Sequence, residues 1–321
     1  MASCILPFET DVEMRAYHHW AFPLGIIKAN ISDYDCWLCN KLIDSEVSPN
    51  YSFNALEREL WSFEDGLALD EAMYISPKTF VHPAVDFLAF IKAQIDEGNY
   101  IIGTYNERYI PHKSYYMNSD FNHDYVLFGY DDNINAFKSI GYIADRRYRA
   151  FDIDYDDFIR AVTGQLVPRS SFHVYHINRN FSPQFNIQEL ISKLGKYLIS
   201  SVDDRGYLRG IDAWDNLPKY VLSGRDQKLD MRNSRVYMEH HGIMVKRIQT
   251  LTELKFVRNE SLARQYHDQV YIKAQQVHYM FLKYNFTKRE HYLHSISEIV
   301  KEINRKERYY LSILIDQLQS L

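Results

Sequence analysis

The sequence predicts an α+β protein in which an antiparallel sheet is followed by a mainly helical region. A β-hairpin is predicted where two β-rich runs, 125–130 and 136–144, flank the turn residues 131–135. A further β-rich run covers 100–105. Beyond about residue 185, apolar residues recur at helical spacing with few breakers, over 187–202, 229–256, 260–284 and 287–321.

Three shorter helices are predicted in the first half. Ser32 and Asp33 precede one that begins near Tyr34 and continues to Ile43, and their side chains can cap it. The second covers 77–97 and ends at Gly98, and the third covers 154–163.

Composition excludes several classes of protein. The net charge of −5 and the lack of a basic stripe give no support for nucleic-acid binding. No stretch approaches the ~18 apolar residues that a membrane span needs. The first residues, 1–11, lack the basic and apolar regions of a signal peptide. We therefore expect a cytoplasmic protein with no membrane partner.

Cysteine usage also argues for a reduced protein, because three cysteines, two of them close together, do not form a disulfide framework. The Cys36-x-x-Cys39 pair is compatible with redox activity or with half of a zinc site. No second cysteine pair and no matching histidine pair accompanies it, so we predict no metal.

A cysteine and a histidine are the candidate catalytic pair. Cys36 lies in the first turn of a predicted helix, where the helix dipole and free N–H groups favour a thiolate. His123 directly precedes a buried strand, from whose end its ring could take and return a proton. Asn30, six residues before Cys36, could hold an oxyanion together with the backbone N–H of Cys36.

Other polar residues leave alternatives open. Cys39 lies one turn beyond Cys36 and is the rival nucleophile, although the helix-start position and the Asn30 spacing favour Cys36. Glu239 and His240, on a long predicted helix, either form a structural hydrogen-bond network or line the acceptor end of a cleft and anchor an amine.

Two segments resemble a known family. The stretch 100–111, together with 123–132 (His-Asp-Tyr-Val-Leu-Phe-Gly-Tyr-Asp-Asp), is similar to the core of papain-like cysteine proteases, including bacteriocin-leader peptidases and butirosin biosynthesis protein H. The Cys36-Trp37 pair resembles the active-site Cys-Trp of papain. Further motifs resemble proteins of nonribosomal peptide gene clusters: Tyr17-His18-His19, Asp230-Met-Arg232, Tyr237-Met-Glu239-His240-His241 and Arg247-Ile248.

The resemblance implies a papain-like fold and an acyltransferase. It implies a catalytic region over 1–170 and a helical region over 171–321 that covers the cleft, with Trp37, Cys39, Glu239 and His240 as substrate-binding residues. The nearest activity is that of the closthioamide transacylase, in which an acyl chain passes from a carrier-protein thioester through a cysteine to an amine. Phosphopantetheine then comes from the acyl or peptidyl carrier protein, and the chain needs no cofactor of its own. A cysteine peptidase or thioester hydrolase, and an inactive papain-like scaffold, are the alternatives.

The sequence departs from the family pattern at one position. The acidic residue that orients the histidine is expected near Gly141, which has no side chain to do so. Asp145, four residues later, is the substitute that we predict. If it fails, Cys36 and His123 act as a dyad.

Overall fold

The computed structural model describes residues 2–47, 53–55, 72–75, 79–80, 87–164, 171–183, 185–224 and 227–320. It is an α+β structure that divides into two compact units. The first unit comprises Met1–Val12, His18–Ser32 and Glu59–Ser182, and the second comprises Glu13–Tyr17, Asp33–Arg58 and Pro183–Leu321. The chain therefore passes repeatedly from one unit to the other.

An antiparallel sheet forms the centre of the first unit, and we number all strands in chain order. Its order is β4-β10-β6-β7-β8-β9, with β1 paired to β7 and β5 paired to β10. Its strands are β1 (Ser3–Ile5), β4 (Met73–Ile75), β5 (Thr79–Phe80), β6 (Tyr100–Asn106), β7 (Asn122–Asp131), β8 (Ala136–Tyr142), β9 (Tyr148–Asp154) and β10 (Ser171–Ile177).

Within its described residues, this unit has three α-helices: α1 (His18–Asn30), α3 (Phe87–Asp96) and α4 (Tyr155–Thr163). Helix α1 is buried on nearly every side from His18 to Ile27, as expected for a helix that is apolar all round. It contains Pro23, whose missing N–H cannot bond to the carbonyl of His19. Helix α4 begins at a side-chain cap from Asp154.

The second unit is mainly helical. A small antiparallel sheet has the order β11-β12-β2-β3, formed by β2 (Ser45–Val47), β3 (Phe53–Ala55), β11 (Ser201–Val202) and β12 (Leu208–Arg209). Its described helices are α2 (Tyr34–Cys39), α5 (Ile187–Ile199), α6 (Leu217–Ser223), α7 (Met231–Glu253), α8 (Leu262–Tyr266), α9 (Ile272–Thr287) and α10 (His291–Gln319). Helices α2, α8 and α9 pack on α7, while α5, α6 and α9 pack on α10.

Most predicted elements are confirmed. The hairpin β7–β8, strand β6 and the long C-terminal helices lie where periodicity placed them, and Gly98 ends α3 with a φ of +85°. Among the described residues, no helix combines the length and apolar composition needed to cross a bilayer.

Two predicted helices are too long. Helix α2 stops at Cys39, because the chain reverses at Leu42 (φ 54°) and enters strand β2. Asp33 adopts a left-handed conformation and makes no side-chain cap. Of the helix predicted over 77–97, Thr79–Phe80 is strand β5 and Phe87–Asp96 is helical; residues 77–78 and 81–86 lie outside the described residues.

The predicted division at residue 170 also differs from the observed one. Strand β10 follows residue 170 but pairs with β6, so it belongs to the sheet of the first unit. Helix α2 precedes residue 170 but packs on α7 in the second unit.

Candidate functional site

The ends of β6 and β7 bring a histidine and a glutamate together in the first unit. His123, the second residue of β7, pairs in register with Tyr105 on β6. The chain leaves β6 at Asn106, and Glu107 follows at once, so its side chain reaches back toward the same strand end. Glu107 Oε1 lies 2.9 Å from His123 Nδ1. A carboxylate at Nδ1 fixes the ring tautomer and leaves Nε2 as the basic nitrogen.

Glu107 is held firmly in this position. Its backbone N–H donates to the carbonyl of Phe121, and the side chain of Asn106 caps the short 3₁₀ turn that begins at Glu107. Only 7% of the Glu107 side chain is exposed, whereas 36% of the His123 ring is exposed. The base is therefore accessible, and the group that orients it is not.

A buried lysine, Lys113, forms an ion pair with the Glu107 carboxylate that contacts His123. Lys113 Nζ lies 3.4 Å from Glu107 Oε1 and donates to the backbone carbonyl of Tyr142. Burial lowers the pKa of Lys113, and the Glu107 carboxylate partly offsets this effect. Glu107 thus serves two partners, the ammonium of Lys113 and the imidazole of His123.

A second imidazole stands beside the first. His18, the first residue of α1, lies with its ring centroid 4.7 Å from that of His123. Among the described residues, no hydrogen bond of standard geometry reaches a ring nitrogen of His18, although the backbone of Asp124 is close enough to raise its pKa. Burial, and then His123, hold the pKa of His18 well below 6.5, so the ring is neutral at pH 7. We name His18, Glu107, Lys113 and His123 the imidazole site.

The predicted third member of the catalytic set is corrected by this geometry. Glu107, and not Asp145, is the carboxylate at His123. Asp145 lies on the β8–β9 turn and forms an ion pair with Arg149 at 3.4 Å. A side chain at Gly141 has little room, because a Cβ there would lie 3.1 Å from Lys113 Nζ.

Cys36 lies in the second unit, on α2, whereas His123 lies in the first. Burial, followed by Asp33 and Asp35, raises the pKa of the Cys36 thiol. Burial, and then the two adjacent carboxylates, therefore oppose the effect of the helix dipole on the thiol. That Cys36 and His123 act together, as nucleophile and base, stays a prediction.

Asn30 does not have a free amide. Its Nδ2 donates to the carbonyl of Ile26 and to the hydroxyl of Tyr100, each at 2.8 Å. Tyr100 in turn donates to the carbonyl of Pro7. The amide that we predicted for an oxyanion is thus a link between α1 and β6.

The residues predicted to bind substrate on α2 are interior. Trp37 is 4% exposed and packs with its ring centroid 5.6 Å from that of Tyr34. Cys39 is 1% exposed, and its thiol faces the carbonyl of Arg247. Burial raises the pKa of Cys39 to about 11. Neither environment suits a residue that lines a cleft or attacks a substrate.

Two roles were predicted for Glu239 on α7: a structural hydrogen-bond network, or the anchoring of an amine. The structure shows the first, a set of structural hydrogen bonds. Its Oε2 accepts the backbone N–H groups of Arg15 and Ala16, each at 2.9 Å, and its Oε1 accepts from Arg235. These bonds tie the segment Glu13–Tyr17 to α7 within the second unit.

His240 is fully buried in a network around Glu307. Tyr197 lies 3.1 Å from His240 Nε2, and Tyr266 lies 3.1 Å from His241 Nδ1. Both hydroxyls donate to Glu307. Burial would raise the pKa of Glu307, but His241 and then His240 outweigh it and hold that pKa well below the usual value. This environment excludes an amine from solution.

This network is also the group of described residues that could hold a metal ion. His240, His241 and Glu307 offer two imidazole nitrogens and a carboxylate oxygen within 4.8 Å of one another. However, the opposite nitrogens, His240 Nδ1 and His241 Nε2, have no hydrogen-bond partner among the described residues, whereas metal-bound histidines almost always donate from that nitrogen. The hydroxyls of Tyr197 and Tyr266 already bond the inward-facing atoms. We therefore interpret the cluster as a hydrogen-bond network.

Sequence reasoning found His123 but missed its partners. Glu107 stands 16 residues away and lies in no recognisable motif with it. The signal that could have found His18 is the His18-His19 pair directly before an apolar helix. No protein-family model matches the chain. A search of curated proteins likewise returned no match.

Proposed function

We propose that this chain is an acyltransferase of papain-like fold that moves an acyl group from a carrier-protein thioester to an amine. The observation that supports it most directly is the 2.9 Å contact between Glu107 and Nδ1 of a partly exposed His123. A carboxylate-oriented imidazole that solvent can reach is the basic group that acyl transfer needs. The carrier protein brings phosphopantetheine, and the amine is the second substrate.

The reaction proceeds by general-base catalysis. His123 Nε2 takes a proton from the amine as its nitrogen attacks the thioester carbonyl and forms the C–N bond. The tetrahedral intermediate then collapses, the C–S bond breaks, and the imidazolium returns the proton to the thiolate that leaves. An amide and a free carrier thiol are the products, so atoms and charge balance without an external reagent.

The other members of the imidazole site support this step. Glu107 stabilises the imidazolium while it exists, and Lys113 places a buried positive charge 3.4 Å from Glu107 Oε1. Neutral His18 places a second imidazole beside His123, and a ring N–H of His18 can donate to the oxyanion.

The direct route is favoured over a covalent one. The raised pKa of Cys36 makes its thiolate scarce at pH 7, and no cysteine of the first unit stands near His123. Cys4, the cysteine of that unit, pairs with Tyr130, seven residues along β7 from His123, or roughly 23 Å at the rise of a strand. A covalent step through Cys36 remains the alternative, as does hydrolysis with water as acceptor.

The partner is proposed to be an acidic carrier protein of the cytoplasm. The β8–β9 turn carries Arg146 and Arg147, and Arg149 follows near the start of β9; Asp145 pairs with Arg147 and Arg149. The same hairpin reaches the site, since Tyr142 and Tyr148 pack on His18. An acidic surface docked on the turn would deliver its thioester near His123.

The test is acyl transfer from an acylated carrier protein to a panel of amines, followed by thiol release and by mass spectrometry of the amide. His123→Ala is expected to lower the rate by at least ~100-fold, a typical contribution of a general base. His294→Ala, at an exposed position of α10, is the matched control and should retain full activity.

The variants also separate the alternatives. Full activity of Cys36→Ala supports direct transfer, whereas loss of activity together with an acyl adduct on the wild-type chain supports the covalent route. Loss of the acyl group without amide indicates hydrolysis. If neither amide nor free thiol accumulates above the rate with His123→Ala, the protein is a scaffold and the proposal fails.

A further inference from the structure

The loop between β6 and β7 presents a cluster of apolar side chains to solvent. In the described part of the first unit, the exposed large apolar residues outside this loop are Ile5 and Ile134. The loop itself exposes four within seven positions, and their exposed fractions range from 37% to 67%. We name these four side chains the aromatic ledge: Tyr115, Tyr116, Met117 and Phe121.

The ledge is anchored at its base. The side-chain oxygen Oδ1 of Asn106 accepts the backbone N–H groups of Arg108 and Phe121. Its side-chain Nδ2 donates to Asp120 Oδ1 and to the backbone carbonyl of Gly164. Asn106 is 0% exposed. These four bonds close the loop at both ends, so the exposed rings stand on a fixed base.

Buried residues hold the middle of the loop. Ile110 is 0% exposed and Lys113 is 3% exposed. The N–H of Met117 donates to the carbonyl of Arg108. The loop is therefore already ordered, and it loses little conformational entropy when a ligand binds. This favours a higher affinity for the ligand.

The ledge begins at the catalytic ring. The ring centroid of Phe121 lies 5.4 Å from that of His123. Tyr115 stacks on Phe121 at 4.5 Å with an interplanar angle of 22°. A row of aromatic side chains thus leads from His123 through Phe121 to Tyr115 and into solvent. A group that lies along this row has its end within reach of the base.

The charges around the ledge are paired. Arg108 and Asp120 form an ion pair at 3.7 Å, and the charges of Lys113 and Glu107 are buried beneath it. The surface therefore offers little attraction for an ionic ligand. An uncharged apolar or aromatic chain suits it better.

The area of the ledge points to a small molecule. Four partly exposed side chains of this size present roughly 350 Å², from the 150–250 Å² of a whole aromatic side chain. A stable protein interface needs about 800 Å² on each partner. An acyl chain or an aromatic acyl group would cover part of the ledge.

We propose that the aromatic ledge binds the apolar acyl group of the substrate and selects medium-chain or aromatic acyl donors over acetyl. The position of the acyl group relative to His123 rests on the proposed function, but binding to the ledge does not. The two can therefore be measured separately.

The test uses amide analogues of N-acetylcysteamine thioesters, which are not turned over, with octanoyl, phenylacetyl and acetyl groups. Calorimetry on the wild-type chain is expected to show the octanoyl and phenylacetyl analogues binding at least about tenfold more tightly than the acetyl analogue, the value of one aromatic contact. Equal affinities for the three analogues would overturn the proposal.

Variants locate the binding site. Tyr115→Ala and Phe121→Ala are expected to abolish the chain-length preference, whereas Phe121→Leu should keep part of it. Tyr309→Ala, an exposed tyrosine on α10 in the second unit, is the control and should keep it in full. Unchanged melting temperatures show that the ledge variants are folded, and a folded ledge variant that keeps the preference overturns the assignment.

One pattern of results separates this inference from the proposed reaction. Suppose that the chain-length preference exists and depends on Tyr115 and Phe121, but that no acyl transfer occurs. Acyl-group binding by the ledge is then supported, and the proposed acyl transfer is rejected. If acyl transfer occurs with equal kcat/KM for acetyl and octanoyl donors, the proposed reaction is supported and acyl-group selection by the ledge is rejected.

Discussion

Glu107 Oε1 lies 2.9 Å from His123 Nδ1 and 3.4 Å from Lys113 Nζ, so one buried carboxylate joins an accessible base to an inaccessible ammonium. Its position follows from the β6–β7 register, which sets His123 opposite Tyr105. The orientation of the base thus depends on strand pairing as much as on the side chains themselves.

Removal of the charge on Glu107 should affect both partners. Glu107→Gln keeps the size of the side chain but no longer stabilises an imidazolium, so we expect the acyl-transfer rate to fall at least about tenfold. The Lys113 ammonium also loses its buried partner, so we expect a loss of about 1–3 kcal/mol in the free energy of unfolding. Rates and urea denaturation measure the two effects, with the exposed Glu298→Gln as control. A rate equal to that of the wild type would show that Glu107 does not orient His123.

Asn30 should matter for stability and not for catalysis. Asn30→Ala removes the bonds to Ile26 and Tyr100, so we expect a loss of about 1–3 kcal/mol of stability. The kcat of the folded variant should remain within about twofold of the wild type. A selective fall in kcat, with an unchanged melting temperature, would restore Asn30 to an oxyanion role.

Cys36 should be a slow nucleophile because of its acidic neighbours. Asp33→Asn removes a carboxylate whose charge raises the Cys36 pKa, and asparagine tolerates the left-handed backbone at this position. We expect alkylation of Cys36 by iodoacetamide at pH 7.5 to become about fivefold faster, which is the effect of about 1 kcal/mol. Peptide mass spectrometry follows each cysteine separately, and Cys39 should react more slowly than Cys36 in both proteins. A wild-type Cys36 that reacts faster than free cysteine would contradict this account.

The network around Glu307 should make the protein sensitive to acid. Burial lowers the pKa of His240 below 6.5, and His241 and His240 lower the pKa of Glu307 below 4.5. In both cases the unfolded chain binds protons more readily, so stability should fall as the pH falls below about 6.5 and fall further below 4.5. Thermal melts between pH 8 and pH 4 measure this dependence.

Glu307→Gln provides the matching variant. Loss of the buried carboxylate should reduce the free energy of unfolding at pH 7 by about 3–5 kcal/mol and flatten the decline below pH 4.5. Tyr266→Phe, which removes one hydrogen bond to Glu307, is a milder change of about 1 kcal/mol. A steep acid transition that persists in a folded Glu307→Gln protein would assign the pH dependence to other groups.

Glu239 should hold the segment Glu13–Tyr17 in place. Glu239→Gln weakens the acceptor of the Arg15 and Ala16 amides, and we expect these two amides to exchange with deuterium at least about tenfold faster. Exchange mass spectrometry of the peptide over 13–17 measures the change. Unaltered protection would show that other contacts fix this segment.

Local patterns predicted the elements well where neighbours in sequence are neighbours in space. The hairpin β7–β8 and helix α4 depend on turn residues and a cap that lie within a few positions of each element. Helix α2 was predicted too long because its end is set by the pairing of β2 with β12, which is distant in sequence. The partners of His123 were missed for the same reason, since His18 reaches it through the packing of α1 on β7.

The interleaved connectivity of the units has a consequence for synthesis on the ribosome. The carbonyl of Cys39 accepts a hydrogen bond from Arg247, 208 residues later. At translation rates of 5–20 residues per second, α2 must wait roughly 10–40 s before its partner helix emerges. Most of the first unit is made during that interval, so the nascent chain carries an early segment whose final contacts form only near the end of translation.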